Sequence, residues 1–584
     1  MDKKKATQLL YFSKNNADSI NICFIAFVWV LMITLVNPIG NFPLDDDWAY
    51  GWTVKTLLET GRFQLSDWTA TNLLPQALWG SLFCLPFGFS FTALRFSTLV
   101  LGLFGIVATY GLFREARVGS KVSLLSTLVV ALNPIYFGLS NSFTSDVPSF
   151  TLCILSVYFL VRGTRLSSKA WIIAGLIFSF ISILNRQSSL IILPAFGVAY
   201  LINQKFTFKN FVKAFLPTLS GIVIYLTYSH WLDSTGRTPL LYGLQVRKLV
   251  ETLSGGPKAI AFTYLENIWL FSIYLGLFLF PFLVLQFPQT FKTFSAQQKR
   301  MSICLALFIA AIGVVLILKR QQMPFIGNTL NSLGLGPLSL EGYNAFLEEN
   351  KYLRGFLRGG WALLTLIGLM GASILFQYAL IAVRALISSK SQLSQVWLIT
   401  FLLASSLLYF LPIGGIGKGY WFDRYLILLL PLLMASILIL NKYYFDENNL
   451  KPIIVVSYCI MLLSLGAFTV SATHDYLLWN RVRWLALDDL IKHSQVLPNQ
   501  IGGGMEFKGW YFGNRIETCN PEFQRSTTNP KVGWGDFSCL WADGDREYTV
   551  SFTPKAGYEQ QATYSFRRWL PWREEVLYVL HKHE

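Results

Sequence analysis

Long apolar runs separated by short polar segments make up most of this 584-residue chain. A helix needs about 20 predominantly apolar residues to cross a bilayer, so each long run predicts one crossing. A further apolar run, 74–89, is interrupted by Pro75, Pro86 and Gly88, and it predicts an interfacial or re-entrant helix on the outer side. The pattern predicts about thirteen crossings, over residues 22–36, 91–113, 122–139, 147–161, 171–184, 190–202, 215–231, 262–287, 302–318, 356–385, 396–412, 425–440 and 452–470.

The basic residues predict the orientation of these helices. Lys3, Lys4, Lys5 and Lys14 precede the first crossing, and basic clusters recur between alternate crossings further along the chain. Cytoplasmic loops carry an excess of Lys and Arg, so the N-terminus is expected in the cytoplasm. An odd number of crossings then places the tail outside. We therefore predict a multi-pass protein of the cell membrane, with a transmembrane domain over 1–471 and an extracytoplasmic soluble domain over 472–584.

The tail pattern differs from that of the membrane segments. Residues 476–494 have helical periodicity, and 547–552 and 562–566 alternate as strands do, which predicts a small α+β domain. Cys519 and Cys539 lie in this polar tail, and a disulfide between them is expected if the tail faces an oxidising compartment. The other five cysteines lie in apolar segments, where cysteine behaves as a small hydrophobic residue.

Composition narrows the functional class. Hydrophobic residues make up 53% of the chain and the mean hydropathy is +0.46, values typical of an α-helical polytopic membrane protein. The net charge of +16 is scattered among the loops, which argues against a nucleic-acid partner. No Cys or His cluster has the spacing of zinc ligands. A divalent metal is compatible with the sequence, but no residue pattern indicates one, and no cofactor is predicted.

Acidic residues stand at two of the predicted outer helix ends. Asp45, Asp46 and Asp47 follow the first crossing directly, and Asp146 lies in the turn SNSFTSDVPSF. Charged groups beside membrane helices are costly to desolvate and often functional. The alternative is structural, because acidic residues favour the N-terminus of a helix and Asp followed by Pro is a common helix start.

Basic residues stand at the same predicted face. Arg186 interrupts two apolar runs, and an arginine in such a place usually pairs with an anion. Lys418, Arg424 and Tyr425 close the loop GGIGKGYWFDRY, where Asp423 could pair with Arg424 in a purely structural ion pair. A carboxylate can act as a general base, and guanidinium or ammonium groups can hold a phosphate as it leaves. Both together suit an enzyme that transfers a group from a lipid phosphate.

Five motifs carry a resemblance to a known superfamily. They are DDDWAY with LLETGRF (45–63), ALRFSTLVLG (93–102), TSDVPSF (144–150), LNRQSSL (184–190) and DRYLILLLP (423–431). With these motifs in this order, the chain resembles the glycosyltransferase C superfamily. It is similar to the branch that contains protein O-mannosyltransferases, the lipid A aminoarabinose transferase and the related family 39/83-like bacterial enzymes.

The resemblance implies roles for individual residues. Asp46, with Asp47 beside it, matches the acidic position of the catalytic base, and Asp146 matches a second acidic position that orients the acceptor. Arg186 and Arg424 match basic positions near the lipid phosphate. Lys418 is added to this phosphate site from its location alone, and Tyr425 is grouped with it.

The resemblance also implies the partners. The donor would be a polyprenyl-phosphate sugar and the acceptor a lipid, glycan or protein, and several relatives need no catalytic metal. Two other functions are considered. A lipid or polyol transporter would carry charges near the bilayer midplane and an inverted repeat. A non-catalytic sugar-binding subunit would have lost the acidic positions.

Overall fold

The protein is mostly helical in the computed structural model, which describes residues 3–204, 206–326, 328–387, 395–417, 419–442, 451–523, 532–541 and 544–583. The helices in the first half of the chain are α1 (Lys3–Val36), α2 (Asp47–Thr60), α3 (Leu74–Cys84), α4 (Phe91–Glu115), α5 (Ser120–Ala131), α6 (Pro134–Ser140), α7 (Asp146–Leu166), α8 (Lys169–Asn185), α9 (Ile192–Asn203), α10 (Phe208–Ser234), α11 (Leu244–Ser254) and α12 (Gly256–Lys292). They continue as α13 (Ala296–Leu318), α14 (Tyr343–Glu349), α15 (Lys351–Ile387), α16 (Val396–Gly414), α17 (Leu429–Asn441), α18 (Pro452–Lys492), α19 (Met505–Phe512), α20 (Ile516–Cys519) and α21 (Ser538–Trp541).

The membrane helices follow the predicted apolar runs. Within the described residues, ten helices are long and apolar enough to cross a membrane, or eleven if the bent pair α5 and α6 forms one span. The apolar segments Lys169–Asn185 and Gln187–Asn203 are shorter, and counting both would reach the predicted thirteen. The bend of 64° between α5 and α6 has a local cause. Pro134 begins α6, and the side chain of Asn133 accepts hydrogen bonds from the backbone amides of Ile135 and Tyr136.

The predicted interfacial segment forms the short helix α3. Its polar face is turned inward, where Gln76 donates a hydrogen bond to the Phe143 carbonyl oxygen at 2.8 Å. Leu78, Leu82 and Phe87 lie on the outward side and are exposed. An apolar outward face is a feature of interfacial helices, and the interfacial placement of α3 stays a prediction.

Helices α12 and α15 approach each other closely at small residues. A Cβ atom built on Gly276 would lie 2.2 Å from the Gly368 carbonyl oxygen, and one on Gly371 would lie 2.2 Å from the Gly276 carbonyl oxygen. Larger side chains at these positions would separate the helices, because small residues are what allow membrane helices to pack backbone to backbone.

The tail forms a four-stranded sheet against α18. The strands outside the tail are the short pair β1 (Leu330–Asn331) and β2 (Gly334–Leu335), and those of the tail are β3 (Ile501–Gly502), β4 (Tyr548–Ser551), β5 (Tyr558–Trp569) and β6 (Trp572–Lys582). The tail sheet has the order β3-β4-β6-β5, with β3 parallel to β4 and the other pairs antiparallel. Both predicted strand segments fall on β4 and β5, as the alternation indicated.

Helix α18 connects the tail to the membrane region without a break. It has 41 residues and includes the predicted helix from 476 onward. The Asp475 carboxylate accepts hydrogen bonds from the backbone amides of Trp569 and Leu570, both at 2.8 Å, which fixes the β5–β6 turn to this helix. The predicted division at 471/472 lies inside α18, and the two domains stay a prediction. Cys519 and Cys539 form a disulfide with their Cα atoms 5.9 Å apart.

Candidate active site

The aspartate triplet faces two different directions. Asp45 has a left-handed backbone conformation (φ 51°), which turns the chain just before α2. Asp45 Oδ2 accepts a hydrogen bond from Arg424 Nη1 and Asp46 Oδ2 accepts one from Arg424 Nη2, each at 2.7 Å. Asp46 occupies the position before α2, but its side chain makes no hydrogen bond to the helix start. The helix-cap alternative therefore does not describe this carboxylate.

Asp47 points away from Arg424. Its Oδ1 accepts a hydrogen bond from the Leu44 backbone amide at 2.5 Å, and its Oδ2 accepts one from the Phe143 amide at 3.3 Å. The side chain is 1% exposed and lies beside the charge of Arg95. Asp47 thus holds two loops together, and the geometry favours Asp46 over Asp47 for chemistry.

Asp146 is held by two arginines. It is the first residue of α7, and its Oδ1 accepts a hydrogen bond from Arg186 Nη1 at 2.5 Å. Its Oδ2 lies 3.7 Å from Arg424 Nε. Because Pro148 follows two positions later, the sequence also allowed Asp146 to act only as a helix-start residue. In the structure its carboxylate contacts both arginines. Arg186 is extended (φ −149°, ψ 124°) at the end of α8, and its guanidinium carbon lies 4.8 Å from the centre of the Tyr425 ring.

Asp423 and Arg424 do not pair with each other. Asp423 accepts hydrogen bonds from the backbone amides of Thr329 at 3.2 Å and Leu330 at 2.7 Å, so it anchors the loop that carries β1. The ion-pair alternative for these two residues is therefore wrong, because adjacent side chains on this turn face opposite sides. Lys418 lies outside the described residues.

Two cavities meet at Asp46 and Arg424. The first, which we call the lower cavity, has a volume of about 460 Å³ and also reaches Asp146 and Arg186. The second, the upper cavity, has a volume of about 460 Å³ and also reaches Asp45. Both are lined by Asp46, Trp68, Phe422, Arg424 and Trp534. The apolar part of the lower cavity is formed by Leu190, Ile191, Pro194, Ile222, Val246, Leu249, Pro412, Ile413 and Ile416.

Trp68 is a residue of the site that the sequence interpretation missed. Its Nε1 donates a hydrogen bond to Asp46 Oδ1 at 2.7 Å, so both oxygens of Asp46 have a donor. The Trp68 ring packs against Trp534 and Phe537, with ring centres 4.9 and 5.3 Å apart. The signal in the sequence was a tryptophan within the outer-loop stretch SDWTATN, but spacing alone does not connect it to the triplet.

The neighbouring Asp67 fastens the tail to the same loop. Its Oδ2 accepts a hydrogen bond from the Ile516 backbone amide at 3.2 Å, and its Oδ1 lies 3.5 Å from Arg515 Nη1. The Asp67 backbone amide also donates to the Asn514 carbonyl oxygen at 3.1 Å. The tail therefore lies against the first outer loop, with Trp534 lining both cavities.

The cluster brings three carboxylates around two guanidinium groups. Burial raises the pKa of Asp45 well above its usual value, and the negative charge of Asp46 raises it further, against the opposing effect of Arg424. Within the described part of the chain, no three His, Cys, Asp or Glu side chains are placed to hold a metal ion.

Comparison with known proteins finds a family similarity for part of the chain. Residues 76–232 match the family model described as dolichyl-phosphate-mannose-protein mannosyltransferase, and this segment contains Asp146 and Arg186. An uncharacterized protein of Aquifex aeolicus is 25% identical over 214 residues, which are 35% of this chain and only 42% of that protein.

Two solved structures are also similar. ArnT from Cupriavidus metallidurans bound to undecaprenyl phosphate has 13% identity and a TM-score of 0.37, over 96% of this chain and 97% of that one. The Saccharomyces cerevisiae Pmt1–Pmt2 complex bound to the sugar donor has 15% identity and a TM-score of 0.31, over 37% of this chain and 33% of that one. The chain is thus similar to this mannosyltransferase family over residues 76–232, and its apolar helices are those of a multi-pass membrane protein.

Proposed function

We propose that this protein transfers a sugar from a polyprenyl-phosphate donor to a lipid, glycan or protein acceptor at the outer face of the membrane. The observation that carries the proposal is the meeting of two cavities at Asp46 and Arg424. A transferase needs a donor and an acceptor on opposite sides of one reacting carbon, and each cavity can hold the reacting end of one of them.

The lower cavity suits the donor. Its apolar wall can cover isoprenoid units, and Arg186 and Arg424 stand beside Asp146 at its polar end. Guanidinium groups bind phosphate through paired hydrogen bonds and stabilise it as negative charge develops. Arg186 is partly exposed (15%) and contacts the Tyr425 ring, so it is available to a phosphate that enters this cavity.

Asp46 is proposed as the general base. An acceptor hydroxyl or amine in the upper cavity attacks the anomeric carbon of the sugar while the bond from that carbon to the phosphate oxygen breaks. The acceptor proton passes to the Asp46 carboxylate, and the electron pair of the broken bond leaves with the polyprenyl phosphate. Attack from the side opposite the phosphate inverts the anomeric configuration. Asp146 is proposed to position Arg186 and Arg424, since it contacts both guanidinium groups.

The test is sugar transfer by the purified full-length protein in lipid nanodiscs. Polyprenyl phosphates that carry different labelled sugars are supplied as donors. Free polyprenyl phosphate and the label on candidate acceptors are then measured. Candidate acceptors are identified by mass spectrometry of glycolipids and glycans from cells with and without the gene. Release of polyprenyl phosphate that depends on acceptor supports the proposal.

A transporter would give a different result in the same preparation. It would move an intact donor across proteoliposome membranes with no free polyprenyl phosphate formed. A non-catalytic subunit would bind the donor without either event. Either result, with donors and acceptors from the native membrane present, contradicts the proposed transfer.

A further inference from the structure

Another cavity, separate from the lower and upper cavities, lies at the other end of the helices that carry the candidate site cluster. Its volume is about 1020 Å³, and it opens between α1, α4, α7 and α8. Helix α7 begins with Asp146 of the cluster and carries Arg165, 19 residues later, on the wall of this cavity. At 1.5 Å per residue, the two positions are separated by about 29 Å, which is close to the thickness of the hydrocarbon core. We call it the basic cavity.

Arginines dominate the charge of the basic cavity. Its lining contains four arginines and two acidic residues, a net charge of +2, namely Arg114, Arg117, Arg162, Arg165, Asp18 and Glu115. Glu115 is shared, because its Oε1 accepts a hydrogen bond from Arg162 at 2.7 Å and its Oε2 accepts one from Arg165 at 2.8 Å. One carboxylate thus serves two guanidinium groups.

Of the other two arginines in the lining, one has an ion partner within the described residues and one does not. Arg114 Nε donates to Asp18 Oδ1 at 2.8 Å. Arg117 is exposed, has a left-handed backbone (φ 60°), and makes no ion pair among the residues that the structure describes. A group that binds here therefore meets positive charge already held in place by Asp18 and Glu115.

The rest of the lining is apolar. Ile22, Phe104, Val107, Leu155 and Phe178 form the wall that extends toward the membrane interior, and Phe104 is 47% exposed. A soluble anion would neutralise the arginines but leave this wall uncovered. A zwitterionic lipid would cover the wall but leave the net charge of +2 uncompensated. Basic pockets between membrane helices on the cytoplasmic side bind anionic headgroups.

We propose that the basic cavity binds an anionic phospholipid of the leaflet opposite the active-site cluster. The phosphate lies among Arg117, Arg162 and Arg165, and an acyl chain covers the Phe104 side of the wall. Because the lipid contacts α1, α4 and α7 together, its binding stabilises the folded arrangement of these helices by mass action. This site is separate from the proposed transfer site and does not depend on it.

The test measures lipid binding rather than activity. Full-length protein in neutral detergent is titrated with phosphatidylglycerol, with phosphatidylcholine of the same acyl chains, or with inorganic phosphate. Bound lipid is read by native mass spectrometry and the thermal midpoint by intrinsic fluorescence. We expect phosphatidylglycerol alone to bind and to raise the midpoint. Each arginine near an anionic lipid surface contributes about fivefold in affinity.

The variants are chosen to preserve folding. Arg117→Asn keeps a residue type that tolerates a left-handed backbone, and Arg165→Ala leaves Glu115 paired with Arg162. Each should weaken phosphatidylglycerol binding about fivefold, whereas Arg62→Ala, which removes an exposed charge from the loop after α2, should not. Equal binding of the two lipids, an equal midpoint shift with inorganic phosphate, or unchanged affinity in both cavity variants would overturn the proposal. An equal loss in Arg62→Ala would do the same.

Discussion

Replacing Asp46 with Asn tests the catalytic proposal most directly. The amide can still accept the hydrogen bond from Trp68 Nε1, which is 2.7 Å long in the native protein. It cannot accept both that bond and the one from Arg424 Nη2, and it cannot take a proton from the acceptor. Loss of general-base catalysis lowers the rate by about 10²–10⁴-fold, equivalent to roughly 3–5 kcal/mol in the activation barrier.

Asp45→Asn is a matched control for this change. Asp45 and Asp46 each accept one hydrogen bond from Arg424 at 2.7 Å, so each variant places a neutral amide where a carboxylate faces the same guanidinium. Only Asp46 lines both cavities and is proposed to accept the proton. We therefore expect Asp46→Asn to lose at least about 100-fold in turnover and Asp45→Asn to lose no more than about tenfold.

The assay is single-turnover release of polyprenyl phosphate at saturating acceptor, with donor affinity measured in parallel. Equal losses of turnover in both variants would mean that Asp46 acts by holding Arg424 and not as a base. Parental rates in both would make the acidic cluster structural.

Asp47→Asn adds a third comparison, because one of the Leu44 and Phe143 amides loses its acceptor. That change should lower the unfolding free energy by about 1–3 kcal/mol while folded enzyme keeps its turnover.

Three further predictions follow from the contacts around the site. Arg186→Ala should weaken binding of polyprenyl phosphate at least tenfold. Arg186→Lys should restore only part of this affinity, because an ammonium group cannot form the paired hydrogen bonds of a guanidinium. Equilibrium binding in nanodiscs measures both variants. Asp67→Asn should lower the thermal midpoint by weakening the contact with Arg515, an effect that an exposed tail substitution, Asp545→Asn, should not reproduce. Cys519→Ser should lower the stability of the tail by roughly 3 kcal/mol, because it opens a loop of 20 residues. Limited proteolysis should then cleave the tail of the variant faster, and equal cleavage of variant and parent would contradict this prediction.

The apolar periodicity of the sequence was sufficient to predict the helical architecture. Antiparallel neighbours bring alternate helix ends to one face, so acidic and basic residues at those ends were expected to converge. Asp46, Asp146, Arg186 and Arg424 do lie together, and Lys418 stays a prediction. The bend between α5 and α6 was also visible in principle, because the motif Asn-Pro marks a helix start inside the predicted crossing 122–139.

Individual side-chain partners could not be predicted in the same way. Choosing between Asp46 and Asp47 depends on the turn into α2, which contains the left-handed Asp45 and leaves Asp46 facing Arg424 and Asp47 facing the loop amides. The partner of Asp423 depends on where a loop almost 100 residues earlier is placed. Loop residues have no periodicity that could report such contacts, so Trp68 was missed for the same reason.

The position of Trp68 connects the tail to the candidate active site. Asp67 holds Ile516 and Arg515 of the tail, and the next residue, Trp68, holds Asp46. One peptide unit therefore links the docking of the tail to the orientation of the proposed base. Trp534 reinforces the link, because it packs on the Trp68 ring and lines both cavities. If the tail moved away, Trp68 would lose its ring contacts with Trp534, Phe537 and Trp541 and keep the one with Trp48. The tail thus forms part of the wall of the candidate active site.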